Sequence, residues 1–444
     1  MIKKLLLSLS CLLIAITSPV SGAEQDFPIV KPEILKPRDG LKNTLKKLEN
    51  GEEVCIGYIG GSITEWTGWR EMTFKWFQTT YPKAKLSQIN ASKGGTGSNL
   101  GAYRIGGELL FTEPHGTPAF YSSRTPAKTP DLIFVEFAVN DQHDPYNGIR
   151  QSMEGIVRKI WKHDPNIDIC FVYTLPLEAL PYYEKDVCPR SVAAQEAVAD
   201  HYGIPSINVA YRIVQLARED KAIYNPEKDK DGKELPTPAG KILFARDTCH
   251  PGEEGHRVYA DVVGDSIKKM EAQTAKAGPH KLPAALDAGN MEHVQILTPT
   301  RDMFSEGWSR MQDKEGPGQW LRKYMPEIYE TNKPGEKLTF KFKGRSAMLF
   351  YVAAPESGMV TTSMDGGLEI KHSLASNDQS ANVLFLEAPD KEGEHTLTVT
   401  LSAEKPDKTK LIESEKDKPN FKASRYEENF LRVGGILLIG ERLK

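Results

Sequence analysis

Ser62 stands where an apolar run ends on two glycines, in "VCIGYIGGSITE" (residues 54–65). Glycines there permit a tight strand-to-helix turn, and the peptide N–H groups of a helix start face outward, ready for negative charge. Alone, the Gly-Gly-Ser pattern reads first as a serine capping the following helix. Two further segments change that reading. "DTCHP" sets Asp247 three residues before His250. A serine becomes a nucleophile when an imidazole takes its proton, and the imidazole keeps its tautomer when a carboxylate holds its other nitrogen. A three-residue separation puts both side chains on one side of a turn, within reach of that bond. "FVEFAVND" delivers Asn140 and Asp141, while "NASKGGTGSN" carries Gly94, Gly95 and Gly97, which leave room for a backbone N–H to face Ser62. Together with the Asn140 amide these are donors for one oxyanion, where losing a single donor typically costs ~3 kcal/mol of barrier.

Such residues need a frame that brings distant segments to one edge. From residue 50 to about 270, apolar strand runs ("EEVCIGYIG", "KLSQIN", "DLIFVEFAV", "IDICFVYT", "PSINV") alternate with helix patterns ("TGWREMTFKWFQTTY", "YNGIRQSMEGIVRKIWKHD", "RSVAAQEAVADHYG", "GEEGHRVYADVVGDSIKKM"). Alternation of this kind predicts a parallel sheet, and strands apolar on both faces predict helices on both sides, a three-layer α/β/α unit. In such sheets function gathers at the carboxyl ends of the strands. Residues 112–130 and 225–240, rich in Pro and polar residues, read as long surface loops near the site. Beyond residue 275 the period changes to two: "KLTFKFKG", "SAMLFYVAA", "GMVTTSMDGG", "NVLFLEAPD", "HTLTVTLS" and "FLRVGGILLIG" predict an antiparallel sandwich, with "AEKPDKTKLIESEKDKPN" as a polar loop. The expected organisation is a hydrolase-type α/β domain over 24–275, a linker over 276–289 and a β-sandwich domain over 290–444.

Four ordered blocks, "GGSIT", the glycine of "KGGTG", "AVND" and "DTCHP", carry a resemblance to the SGNH (GDSL-type) hydrolases over about residues 50–270. The resemblance implies a flavodoxin-like fold, with Ser62 as nucleophile and its own N–H in the oxyanion hole. Gly95, five residues after Asn90, would be the second donor and Asn140 the third, with His250 as general base and Asp247 as its partner. The chain departs from the family pattern at Gly61, where an Asp is common, and at Ala138, where a Gly opens the third block. The Gly-x-Ser-x-Gly elbow of the α/β-hydrolases is absent. No cofactor is implied.

Composition narrows the rest. A formal charge of -3 over 444 residues, with both signs interspersed, gives no support to a nucleic-acid partner. Lys3 and Lys4, the apolar "LLLSLSCLLIAI" and the small residues up to Ala23 have the layout of a secretory signal peptide over residues 1–23. Export to the periplasm, cell surface or medium is therefore expected, and stable membrane insertion is not, since no later run approaches the roughly 20 apolar residues of a spanning helix. Cys11 lies within that apolar run, with Ser8 where a lipobox carries Leu. Cys55 and Cys170 sit in apolar runs and read as buried thiols, whereas Cys188 and Cys249, in loop-like contexts, could pair. The acids and histidines of "GEEGHRVYAD" read as a helix start rather than metal ligands. Trp66 and His143 are candidates for substrate contact; Arg104 could meet an acidic substrate or serve in an internal ion pair. Export and an appended β-domain favour an esterase removing acetyl or similar groups from a polysaccharide or oligosaccharide. The alternatives are a lipase or thioesterase, and a non-catalytic glycan-binding surface protein.

Overall fold

The computed structural model describes residues 26–112, 128–273, 276–312, 319–386 and 392–443. The expected signal peptide, Cys11 and most of the 112–130 stretch lie outside the described residues. Among the described residues no helix is long and apolar enough to cross a membrane.

The first unit is a six-stranded sheet in the order β1-β6-β5-β4-β2-β3. Its strands are β1 (Leu35–Lys36), β2 (Glu53–Gly60), β3 (Lys85–Asn90), β4 (Leu132–Glu136), β5 (Asp168–Val172) and β6 (Ser206–Ile207). All neighbours run parallel except β1, an antiparallel edge that the sequence did not announce. Between and after them lie α1 (Lys42–Glu49), α2 (Ser62–Glu65), α3 (Trp69–Thr80), α4 (Ser98–Ile105), α5 (Tyr146–His163), α6 (Leu180–Glu184), α7 (Arg190–Tyr202), α8 (Val209–Arg218) and α9 (Glu253–Glu271). The central strands alternate between two cores. Leu132, Phe134, Cys170 and Val172 pack with residues of α1, α3, α8 and α9, whereas Ile133, Val135, Ile169 and Phe171 pack with α4, α5 and α7. Each such buried side chain contributes about 1.5–3 kcal/mol relative to exposure, which is why the strands carry no polar face. In α5, Ile149, Met153, Ile156, Val157 and Ile160 form the buried stripe, and Lys162 and His163 close the last turn where cations are favoured. The chain leaves β2 first towards β3 and then returns to the other side as β4. The carboxyl ends of β2 and β4 therefore flank a topological switch point.

A short pair, β7 (Ala222–Ile223) and β8 (Ile242–Leu243), leads into α9. The second large sheet has nine strands: β9 (Val294–Leu297), β10 (Ser309–Arg310), β11 (Tyr329–Thr331), β12 (Lys337–Ala353), β13 (Met359–Met364), β14 (Ile370–Ser373), β15 (Ser380–Leu384), β16 (Gly393–Leu401) and β17 (Leu431–Arg442), all paired antiparallel. The fold class is the expected one, a parallel α/β sheet with helices followed by a large antiparallel β unit. Two details differ. The runs "KLTFKFKG" and "SAMLFYVAA" form one strand, β12, whose register to β17 shifts between Gly344 and Ser346. Gly344 marks close backbone contact rather than a turn: a Cβ there would lie 2.1 Å from the Ile439 carbonyl. The polar loop at 403–420 contains a short helix, Thr409–Glu415.

Residues 276–289 hold no helix or strand, yet they are fastened to the α/β unit. His280 stacks on Trp161 with ring centroids 4.7 Å apart, its Nε2 meets Asp168 Oδ1 at 2.8 Å, and Glu154 accepts the Asp287 N–H at 2.8 Å. Beyond them, Val294, Ile296, Met325, Ile328 and Leu437 belong to the same buried cluster as Ala102, Ile105, Ile156 and Val157. One core runs from α4 and α5 into the second sheet.

Candidate active site

Ser62 opens α2 one residue after β2 ends, so its side chain stands at the carboxyl edge of the sheet. His250 reaches it from the loop between β8 and α9: Ser62 Oγ lies 2.7 Å from His250 Nε2 across 188 residues of chain. His250 Nδ1 lies 2.8 Å from Asp247 Oδ2, and Asp247 Oδ1 accepts the backbone N–H of Cys249 at 2.9 Å and of His250 at 2.7 Å. An ionised carboxylate only accepts, so Nδ1 carries the ring proton and Nε2 is left to take the serine proton. Partial burial acts on Asp247 most strongly, towards a higher pKa. The two backbone N–H groups and the His250 ring outweigh it, and the carboxyl settles below the usual aspartate range. Asn225 steadies this turn by donating to the Asp247 carbonyl at 2.8 Å.

The segments carrying the expected oxyanion donors pack against the Ser62 turn. The turn Lys93–Thr96 is tied to the end of β2 by the Lys93 N–H on the Gly60 carbonyl at 2.9 Å. Gly94 packs onto Ser62: a Cβ there would lie 3.4 Å from Ser62 Cβ and 2.9 Å from Glu65 Oε2. Its N–H is already engaged by Glu65 Oε2 at 2.7 Å. Gly95, at φ +72°, adopts the left-handed region that favours glycine, and a Cβ there would meet nothing within 4 Å. Among the described residues, the N–H groups of Ser62 and Gly95 donate to no protein group. Asn140 comes from the turn after β4 and lies against Gly61, whose missing side chain makes room for its amide. The departure from the family pattern at Gly61 thus lies at this contact.

A buried polar layer supports these loops. Asp141, fully buried, accepts the Ser98 N–H at 2.8 Å and the Gln195 amide at 3.3 Å, and desolvation pushes its carboxyl up to about 7. Glu136, at the tip of β4, accepts Thr174 at 2.6 Å and Thr64 at 2.8 Å, and burial likewise pushes it up to about 7. Thr64 in turn accepts the Trp69 indole N–H at 3.2 Å, tying α3 to the nucleophile turn.

Of the three substrate-contact candidates, Trp66 is at the site. It is 54% exposed and stacks on the His250 ring at 4.6 Å with planes 21° apart. Arg104 is not available to a substrate. It is buried 3% exposed, donates to the Ala91 carbonyl at 2.8 Å and to Thr96 at 3.2 Å, and pairs with Glu108, which also holds Lys93. A π-helical turn, Gly106–Leu110, continues α4 and brings Glu108 to that position. His143 stands on the exposed surface 3.3 Å from Glu178. Cys188 and Cys249 do not pair: all four described cysteines are free, Cys188 is buried, and Cys249 Sγ lies 3.6 Å from His250 Nδ1. Asp247, Cys249 and His250 are the one described cluster with metal-ligand donors close together, and two of them are engaged in the relay to Ser62. Two cavities, of about 550 and 580 Å³, open elsewhere, and neither is lined by a triad residue. Sequence reasoning passed over Glu65, Lys93, Glu108, Glu136, Lys323 and Tyr324, whose partners lie too far along the chain or are too ordinary in type to stand out.

A serine, an imidazole and a carboxylate in line at the switch point of a parallel sheet define the layout of an acyl hydrolase. Residues 58–258, within the α/β unit, match the family model described as GDSL-like Lipase/Acylhydrolase family. Among solved structures, a two-domain esterase active on acetylated mannans aligns over 90% of this chain and 94% of its own, with TM-score 0.62 at 18% identity. The same esterase crystallised with mannopentaose aligns over the same shares with TM-score 0.61 at 18% identity. Both chains are thus similar in fold across the α/β and β units together. No curated protein sequence matches the chain.

Proposed function

We propose that the protein is an exported serine esterase that removes acyl groups, acetyl foremost, from a carbohydrate. The observation carrying this reading is the line of contacts from Ser62 Oγ through His250 to Asp247, at 2.7 and 2.8 Å. Ser62 Oγ bonds to the acyl carbon as His250 Nε2 takes its proton, and the oxyanion is met by the Ser62 and Gly95 N–H groups and the Asn140 amide. The carbonyl re-forms, the sugar oxygen leaves with the proton returned by His250, and an acyl-serine remains. Water, deprotonated by His250, then attacks that ester, and the acid departs as Ser62 recovers its proton. Asp247 holds the ring and stabilises its charged form in both halves.

A carbohydrate substrate is supported by the similar two-domain esterase, which acts on acetylated mannans, and by Trp66, an exposed indole beside the catalytic ring able to face a sugar. Export is supported by the charged, apolar and small-residue order of residues 1–23. The test is release of free acid from acetylated mannan, acetylated xylan, pectin, sialic-acid glycans and long-chain esters by the wild-type protein and by Ser62→Ala. The expected result is acetate from at least one glycan with wild type and none with the variant. Turnover by Ser62→Ala, or preference for long-chain esters, would overturn the reading.

A further inference from the structure

We propose that Tyr324, from the segment joining β10 to β11, is a positioning residue for the oxyanion hole of the α/β unit. The inference rests on the esterase reading above and extends it to a side chain outside the family-matched residues 58–258.

The Tyr324 hydroxyl donates to the Gly94 carbonyl at 2.8 Å, across 230 residues of chain. That carbonyl and the Gly95 N–H are the two ends of one planar peptide unit. A donor on the oxygen fixes the plane of the unit and so the direction of the N–H. It also draws electron density towards the oxygen, which strengthens the N–H as a donor to a developing oxyanion. The neighbouring peptide is held as well. Gly94 N–H is engaged by Glu65 Oε2 at 2.7 Å, and Glu65 Oε1 is paired with Lys323 Nζ at 2.7 Å, with the glutamate side chain only 7% exposed. Two adjacent residues of the second unit thus brace the glycine pair, one directly and one through the acid that follows the nucleophile on α2. Lys323 Nζ also lies 4.9 Å from the Tyr324 ring centroid, which keeps the ring in place. Gly95 needs such bracing because its left-handed backbone, with open space around Cα, has no side chain to anchor it.

Tyr324→Phe removes the donor and keeps the ring. In the full-length protein, kcat for p-nitrophenyl acetate should fall about tenfold, the loss of one supporting hydrogen bond felt in the transition state, with KM within about twofold. The inhibition constant of a small alkylboronic acid, whose adduct with Ser62 places a tetrahedral oxygen in the hole, should rise by a similar factor. The melting temperature should stay close to wild type. Lys323→Met should show the same split in milder form. An unchanged kcat, or a loss of kcat matched by loss of thermal stability without weaker boronate binding, would overturn the proposal. Activity surviving in Ser62→Ala defeats the esterase reading and this proposal with it, whereas a dead Ser62→Ala beside a fully active Tyr324→Phe defeats the Tyr324 role alone.

Discussion

Gly61 and Asn140 occupy one space: a Cβ on Gly61 would lie 1.8 Å from Asn140 Oδ1. Since φ of Gly61 is -88°, the constraint is this contact and not the backbone. Gly61→Ala should therefore fold, and should drive the Asn140 amide out of the proposed oxyanion hole. We expect kcat for a small acetyl ester to fall about 10²-fold, the scale of a lost oxyanion donor, with circular dichroism unchanged. Activity within twofold of wild type would mean that the amide serves from another position.

Trp66 lies flat on the His250 ring, which becomes positively charged in the proposed acyl transfer. An indole face stabilises a cation by about 0.5–2 kcal/mol, so Trp66→Ala should lower kcat roughly 2- to 30-fold on any ester, and Trp66→Phe less. If the indole also meets a sugar, KM should rise for acetylated oligosaccharide and not for p-nitrophenyl acetate. Steady-state kinetics of both variants on both substrates separate the two effects.

Glu136 makes stability depend on pH in a defined direction. Burial raises its pKa from 4.5 to about 7. Between those values the folded chain retains a proton that the unfolded chain has released, so stability is greatest below pH about 4.5 as far as this group is concerned. It falls as pH rises through about 7, by roughly 3 kcal/mol in all. Asp141, also raised to about 7, adds in the same window. Melting temperatures of wild type should drop between pH 5 and pH 8, and Glu136→Gln should flatten that slope without abolishing it. An equal slope in the variant would show that Glu136 is ionised in the folded protein.

Ser62, Asp247 and His250, which the structure brings into contact, were legible because each ends or follows a strand within a short run whose glycines and prolines advertise a turn, as with Ser62 after Gly60-Gly61 and His250 before Pro251. Alternating apolar runs likewise announced both sheets. What escaped has physical reasons. Glu65 reads as an acid favourably placed on a first helical turn, and its partner Lys323 lies 258 residues on, with no local pattern joining them. Gly344 has the composition of a turn, yet it lets β12 and β17 approach at Gly440. Cys188 has a loop-like context that suggested pairing, but its N–H bonds to the Val30 carbonyl, its side chain is buried, and it is not paired with Cys249. Arg104 could be read towards a substrate or towards an acid, and Glu108, one turn along, decided it.

The apolar cluster continuing from Ile105 and Ile156 into Ile296 and Leu437 bears on how this chain can be divided. A gene cut after residue 275 would yield every triad member and still uncover a greasy flank on α4 and α5, while stripping the glycine turn of its phenol. The β half is then less a detachable appendage than a wall of the α/β half, and engineering that swaps or trims it should treat the two as one packed body.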